Sequence, residues 1–151
     1  MTYKSFLKIL ISVFLFIYSN HLAAQNKLAP EKNTIAFDGY DIISYFANKV
    51  VKGNQAFQTE YKGIKLVFET QENLQDFKSN PEKYFPKYGG WCAIAMADDA
   101  FMVPDYSYFK IQEGKLLFFR VKAFFNGLIQ WNKSPNANLM KADVNYQNYF
   151  P

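Results

Sequence analysis

Apolar and polar positions along the chain recur with two distinct periods. Around residues 57–68 the period is two. Phe57, Thr59 and Tyr61 share one face of a first run, and Ile64, Leu66 and Phe68 share one face of a second. Lys62-Gly63 lies between them, the spacing of a two-residue β-hairpin. A second hairpin is predicted from Lys110–Gln112 and Lys115–Phe119 around Glu113-Gly114. Its unbroken apolar run, Leu116–Phe119, suits a strand buried on both faces.

Elsewhere the period is helical. Thr70 reads as an N-cap, with Glu72 in the first turn and Leu74 and Phe77 facing inward. Asn80-Pro81 supplies the cap and first residue of a short helix, closed by Tyr84, Phe85 and Pro86. Tyr88-Gly89-Gly90 is a flexible break before the alanine-rich stretch Trp91–Ala97, which is expected to be helical. Val121, Phe124, Phe125, Leu128 and Ile129 recur with Lys122, Asn126, Gln130 and Lys133 opposite, predicting an amphipathic helix. Ser134-Pro135 ends it and opens another helix through Leu139 and Ala142. Before the first hairpin, Ile35–Phe46 carries a turn at Asp38-Gly39 and the apolar pair Ile42-Ile43. With no repeat or low-complexity tract, the pattern predicts a single α+β domain: two β-hairpins packed with several short helices.

The first residues follow another logic. Lys4 and Lys8 precede the apolar run Ile9–Tyr18, and Leu22-Ala23-Ala24 forms a small-residue end. These are the three parts of a secretory signal peptide, residues 1–24, with cleavage expected between Ala24 and Gln25. The run is shorter than the ~20 apolar residues of a spanning helix. The expected product is exported, periplasmic or secreted, with no stable membrane insertion after cleavage. Polar Gln25–Asn33 is expected to be a flexible leader, and 34–151 the domain.

Removing residues 1–24 of the 151 leaves 127, enough for one core. It also takes the only histidine, His21, so a Ser-His-Asp triad, a Cys-His pair and a histidine metal site within the mature chain are excluded. Two of the 17 basic residues go and none of the 13 acidic ones, which leaves a net charge of +2. With scattered lysines and Arg120 as the only arginine, no nucleic-acid partner is expected. Cys92 is the only cysteine. Exported chains use cysteines in pairs, so a single one points to a free thiol, an intermolecular bond or a dedicated site.

Several short elements occur in a telling order. They are Asp38-Gly39-Tyr40-Asp41 with Ser44-Tyr45-Phe46, Tyr61-Lys62-Gly63, Phe68, Asn80-Pro81-Glu82-Lys83-Tyr84 and Tyr88-Gly89-Gly90-Trp91-Cys92-Ala93. Glu113-Gly114-Lys115-Leu116, Trp131 and Lys141-Ala142-Asp143 follow. The set resembles the exported YHS domain proteins over nearly all of the mature chain. The wider family is associated with metal handling through cysteines in short motifs. Here the residue after Phe68 is Glu69, and Asp38–Phe46 holds no cysteine. Similar exported proteins carry selenocysteine within the Gly-Gly-aromatic-Cys-Ala element, which implies redox or soft-metal chemistry at Cys92.

Each candidate residue has a functional and a structural reading. Cys92, after two glycines and before a helical stretch, would sit near a helix N-terminus that lowers a thiol pKa. It would equally serve as a small buried apolar residue. With no second cysteine, a redox cycle needs an external thiol or redox partner protein. Met96 shares a helical face with Cys92, and thiolate with thioether suits copper as Cu(I), with Met102 a third soft donor; both methionines would equally fill core gaps. Asp38 with Asp41, and Asp98 with Asp99, could do acid–base work or bind hard cations, or belong to turns. Tyr88, Trp91, Phe101, Tyr106 and Tyr108 could line a pocket near Cys92, or be core. Two functions follow. One is an exported thiol-redox or soft-metal protein centred on Cys92 and Met96, supported by Asp41, Tyr88 and Trp91. The other is a non-catalytic small-ligand or protein-interaction module with a buried, inert cysteine.

Overall fold

The computed structural model describes Ala29 and residues 34–150. The expected signal peptide (1–24), and the expected leader (25–33) apart from Ala29, lie outside the described residues.

The fold is α+β, with three antiparallel two-stranded sheets. β1 (Asn54–Tyr61) pairs with β2 (Ile64–Phe68), and β3 (Asp105–Gln112) with β4 (Lys115–Phe119). Both predicted turns are present. Lys62 and Gly63 have φ of 51° and 78°, and Glu113 and Gly114 have 51° and 71°. Two successive positive φ angles match the twist of the flanking strands, and glycine at the second position tolerates them without a Cβ clash.

The helices are α1 (Gln71–Ser79), α2 (Pro81–Tyr84), α3 (Ala93–Ala97), α4 (Gly127–Lys133) and α5 (Pro135–Tyr149). Thr70 Oγ1 accepts from the Asn73 N–H at 3.1 Å, and Asn80 Oδ1 from the Lys83 N–H at 3.2 Å. The expected caps therefore satisfy helix-terminal donors. Leu74 and Phe77 turn inward on α1, and Leu139 and Ala142 on α5.

A two-stranded ribbon is not stable alone, so packing must hold both hairpins. β4 organises it. Leu116, Leu117, Phe118 and Phe119 are all completely buried. Leu116 and Phe118 join a cluster with Phe37, Ile42, Tyr45, Phe68, Phe77 and others. Leu117 and Phe119, on the opposite face, join a second cluster with Tyr88, Cys92, Met96 and Trp131. Alternate side chains of one strand thus feed two cores, as a strand buried on both faces must.

One predicted element is different. Val121–Lys122 (β5) and Phe125–Asn126 (β6) form a small hairpin in place of the first half of an amphipathic helix. The helix starts only at Gly127, because Asn126 caps it, accepting from the Ile129 N–H at 3.1 Å. Gly127 itself must meet the backbone, donating to the Arg120 carbonyl at 2.9 Å. Asn-Gly inside a helical pattern is a start signal as well as a propensity defect. The apolar period had hidden it.

Among the described residues no helix is long and apolar enough to cross a membrane.

Candidate functional site

Cys92 sits where the chain leaves a tight turn. Tyr88, Gly89 and Gly90 have φ of 60°, 62° and 87°, and Cys92 then occupies the N-cap position of α3 without a side-chain capping bond. Its N–H donates to the Met102 carbonyl at 3.0 Å, and the Arg120 N–H points at its sulfur at 3.2 Å. The residue also bridges to Phe118 of β4. It has no exposure. Burial pushes the thiol above its ordinary value of 9.0, against the pull of the N–H groups of Ala95, Arg120 and Ile94. Met96 is equally buried in the same cluster, whereas Met102 is 43 % exposed and gives Cys92 its carbonyl. Among the described residues no group of three or more His, Cys, Asp or Glu is placed to hold a metal.

Asp41 belongs elsewhere. Its buried carboxylate accepts from the Ile43 N–H at 2.8 Å, the Glu69 N–H at 2.7 Å and the Asn73 side-chain amide at 2.6 Å. It ties the first segment to the end of β2 and the first turn of α1. Asp38 and Asp99 occupy left-handed turn positions, and Asp98 ends α3. Trp91 is half-buried, its ring 5.4 Å from that of Phe101. Tyr106 is a residue of the first core, and Tyr108 is on the surface. Of the aromatic set, Tyr88 lies in the cluster that holds the thiol and Trp91 and Phe101 pack against it, whereas Tyr106 and Tyr108 do not.

Tyr88 leads to a different place. Its ring is buried beside Cys92 in the second cluster, and its hydroxyl donates to Asp143 Oδ1 at 2.8 Å. Burial and that bond raise its pKa above the ordinary 10.0, so the hydroxyl keeps its proton well into the alkaline range. Lys87 holds both oxygens of Asp143, at 2.8 and 2.9 Å. The group opens on a cleft of about 330 Å³ whose charged walls are Lys62, Glu82, Lys87, Lys115 and Asp143. Lys62 pairs with Glu82 at 3.1 Å. Tyr61 also donates to the Glu82 carboxylate, and this bond does most to hold the carboxyl below its ordinary value, with Lys62 and Lys115 adding to it. Lys115 donates to the Glu82 carbonyl at 2.8 Å, so its charge is in excess over the two carboxylates.

Each wall comes from a different element: the β1–β2 turn, α2, the 87–90 turn, the start of β4 and α5. Of these residues only Tyr88 stands out in sequence as a candidate. The signal for the rest lay in the segments that carry the family resemblance. Lys62, Glu82, Tyr88 with Gly89, Lys115 and Asp143 come from five of those segments, and the fold brings all five to one cleft. Compared with family models, curated proteins and solved structures, the chain matches none.

Proposed function

We propose that the protein is an exported YHS-like domain acting as a non-catalytic binding module for a small anion, a carboxylate or phosphate, held in the Lys62–Lys87–Lys115 cleft. The observation that carries this reading is the convergence of five separated segments on one pocket with three ammonium groups and two carboxylates. An ammonium has three donors, and each lysine here spends only part of them on the protein. The hydroxyl of Tyr88, fixed by Asp143, adds a polar edge. Cys92 in this reading is a core residue.

Titration with inorganic phosphate and with a dicarboxylate, followed by amide chemical shifts, tests the reading. Shifts should cluster at residues 62, 82, 87–89, 115 and 143 and weaken with salt. Lys115→Ala should lower affinity about tenfold, the scale of one charge-assisted contact. Shifts scattered over all lysines, or unchanged affinity in Lys115→Ala, would remove the cleft as the site.

A second reading, thiol-redox or Cu(I) chemistry at Cys92 with an external thiol partner, is favoured by two observations. The Arg120 N–H points at the sulfur at 3.2 Å, and Cys92 stands at the N-terminus of α3, both of which favour a thiolate. It requires the core to open first.

A further inference from the structure

The β5–β6 hairpin carries its most apolar residues where they are least sheltered. Phe124 at the tip is 106 % exposed, Phe125 42 % and Ile129 on the adjoining helix 59 %. Turn geometry does not call for them. The other hairpins place left-handed residues at their tips, whereas neither Ala123 nor Phe124 has a positive φ.

The core does not call for them either, because the base of the hairpin is held by other groups. Gly127 donates to the Arg120 carbonyl at 2.9 Å, and a Cβ on it would come within 2.9 Å of both that oxygen and Ile94 Cγ2. Arg120 in turn donates to the Val103 carbonyl at 3.1 Å. A fixed base thus projects an aromatic tip into solvent.

Along the chain, the charge on either side of this tip has one sign, and the nearest acid across the sheet is Asp105, the partner of Phe119 at the base. From Gly114 to Ala142 there is no acidic residue, and there are five basic ones: Lys115, Arg120, Lys122, Lys133 and Lys141. Lys115 belongs to the cleft. Lys122 beside the tip and Lys133 at the end of α4 are exposed. Met140, in the same acid-free stretch, is 70 % exposed.

We propose that the β5–β6 tip is a peripheral membrane-docking wedge: Phe124 and Phe125 enter the interfacial layer of an anionic bilayer while Lys122 and Lys133 meet its headgroups. A convex aromatic tip needs a deformable partner, and the headgroup–acyl boundary is one. An anionic lipid surface supplies the opposite charge for Lys122 and Lys133. Docking of this kind buries the tip alone and is independent of the anion cleft.

The experiment is co-sedimentation of the exported protein with vesicles of phosphatidylcholine alone and of phosphatidylcholine mixed with phosphatidylglycerol. Binding is expected to the mixed vesicles and to fall with salt. Phe124→Ser should weaken it about tenfold and Lys122→Glu about fivefold or more. Both variants should keep the parent's unfolding midpoint, since neither side chain is buried. In Phe124→Trp the added emission should shift to the blue on binding and be quenched by brominated lipid. Unchanged binding of Phe124→Ser would overturn the proposal, as would absence of that quenching. A protein that self-associates, and becomes monomeric in Phe124→Ser, would assign the tip to a second copy and overturn it too.

Discussion

The thiol of Cys92 should react with a chromogenic disulfide reagent at least about a thousandfold more slowly in the folded protein than in denaturant. The factor follows from where the sulfur lies. It has no exposure and packs in the cluster that contains Leu117, Phe119 and Trp131, themselves completely buried. A reagent reaches it only after that cluster opens. Opening a central cluster costs an appreciable share of the total stability, about 5 kcal/mol or more in an ordinary domain, and a difference of that size is three to four powers of ten in rate. The pH dependence has a definite sign. Burial raises the folded thiol above 9.0, so the native state keeps a proton that the unfolded state loses above that pH. Stability from this group is therefore complete below the ordinary thiol value and falls as pH rises through the folded value, by at most ~1.4 kcal/mol per pH unit. Stopped-flow absorbance with and without denaturant gives both quantities. A folded-state rate within tenfold of the unfolded one, levelling off below about pH 7.5, would refute the burial argument and restore the thiolate reading.

Other perturbations test the frame around the cleft and the thiol. Asp41→Ala strands three donors and should cost about 3–5 kcal/mol in urea unfolding; a loss under about 1 kcal/mol would show that water replaces the carboxylate. Gly90→Ala places a Cβ on the Phe37 ring at a φ of 87° and should cost about 3 kcal/mol or more. Gly114→Ala, at a similar φ but in open space, should cost only ~1 kcal/mol, and equal losses would show that backbone strain alone is being read. Tyr45, Tyr88 and Tyr106 all have raised pKa values, chiefly through burial. Stability should therefore drop by up to ~4 kcal/mol per unit above about pH 10, where only the unfolded chain ionises them. A flat melting temperature there by circular dichroism would contradict their burial.

Which parts of this were legible in the sequence depends on whether the deciding interaction is local. The turns at Lys62-Gly63 and Glu113-Gly114 and the caps at Thr70 and Asn80 depend on residues near one another in the chain, and they are as the pattern predicts, while the double burial of Leu116–Phe119, though tertiary, is signalled by its own unbroken apolar run. The hairpin at Val121–Asn126 is not, because its apolar residues follow a helical period while facing solvent. Only the cap at Asn126 and the close approach at Gly127 reveal the start of α4. The cleft is illegible for another reason. Its walls run from Lys62 to Asp143, and no local pattern says that a hairpin turn and the last helix meet. The depth of Cys92 is likewise a tertiary fact, since a helix N-terminus looks the same in sequence whether it opens on water or on a core.

The element Tyr88-Gly89-Gly90-Trp91-Cys92 can then be understood as a seam between the two cores. Gly90 lacks the Cβ that would collide with Phe37 of the first cluster. Two residues on, Cys92 lies in the second cluster, where its N–H takes the Met102 carbonyl and its sulfur the Arg120 N–H. A serine there would bring a more strongly hydrated hydroxyl into a site built for sulfur, and a larger apolar residue would overfill it. The close packing that demands glycine and a small apolar residue is satisfied without any reactivity at the thiol. The same seam sets Tyr88 so that its ring is buried while its hydroxyl reaches Asp143 at the cleft. On the proposed anion-binding reading, a change at Cys92 that shifts the 87–90 turn would therefore alter binding without the sulfur touching the ligand. Cys92→Ser and Cys92→Ala should both weaken phosphate binding in proportion to their loss of stability, whereas a thiol that contacts the ligand would lose binding at unchanged stability.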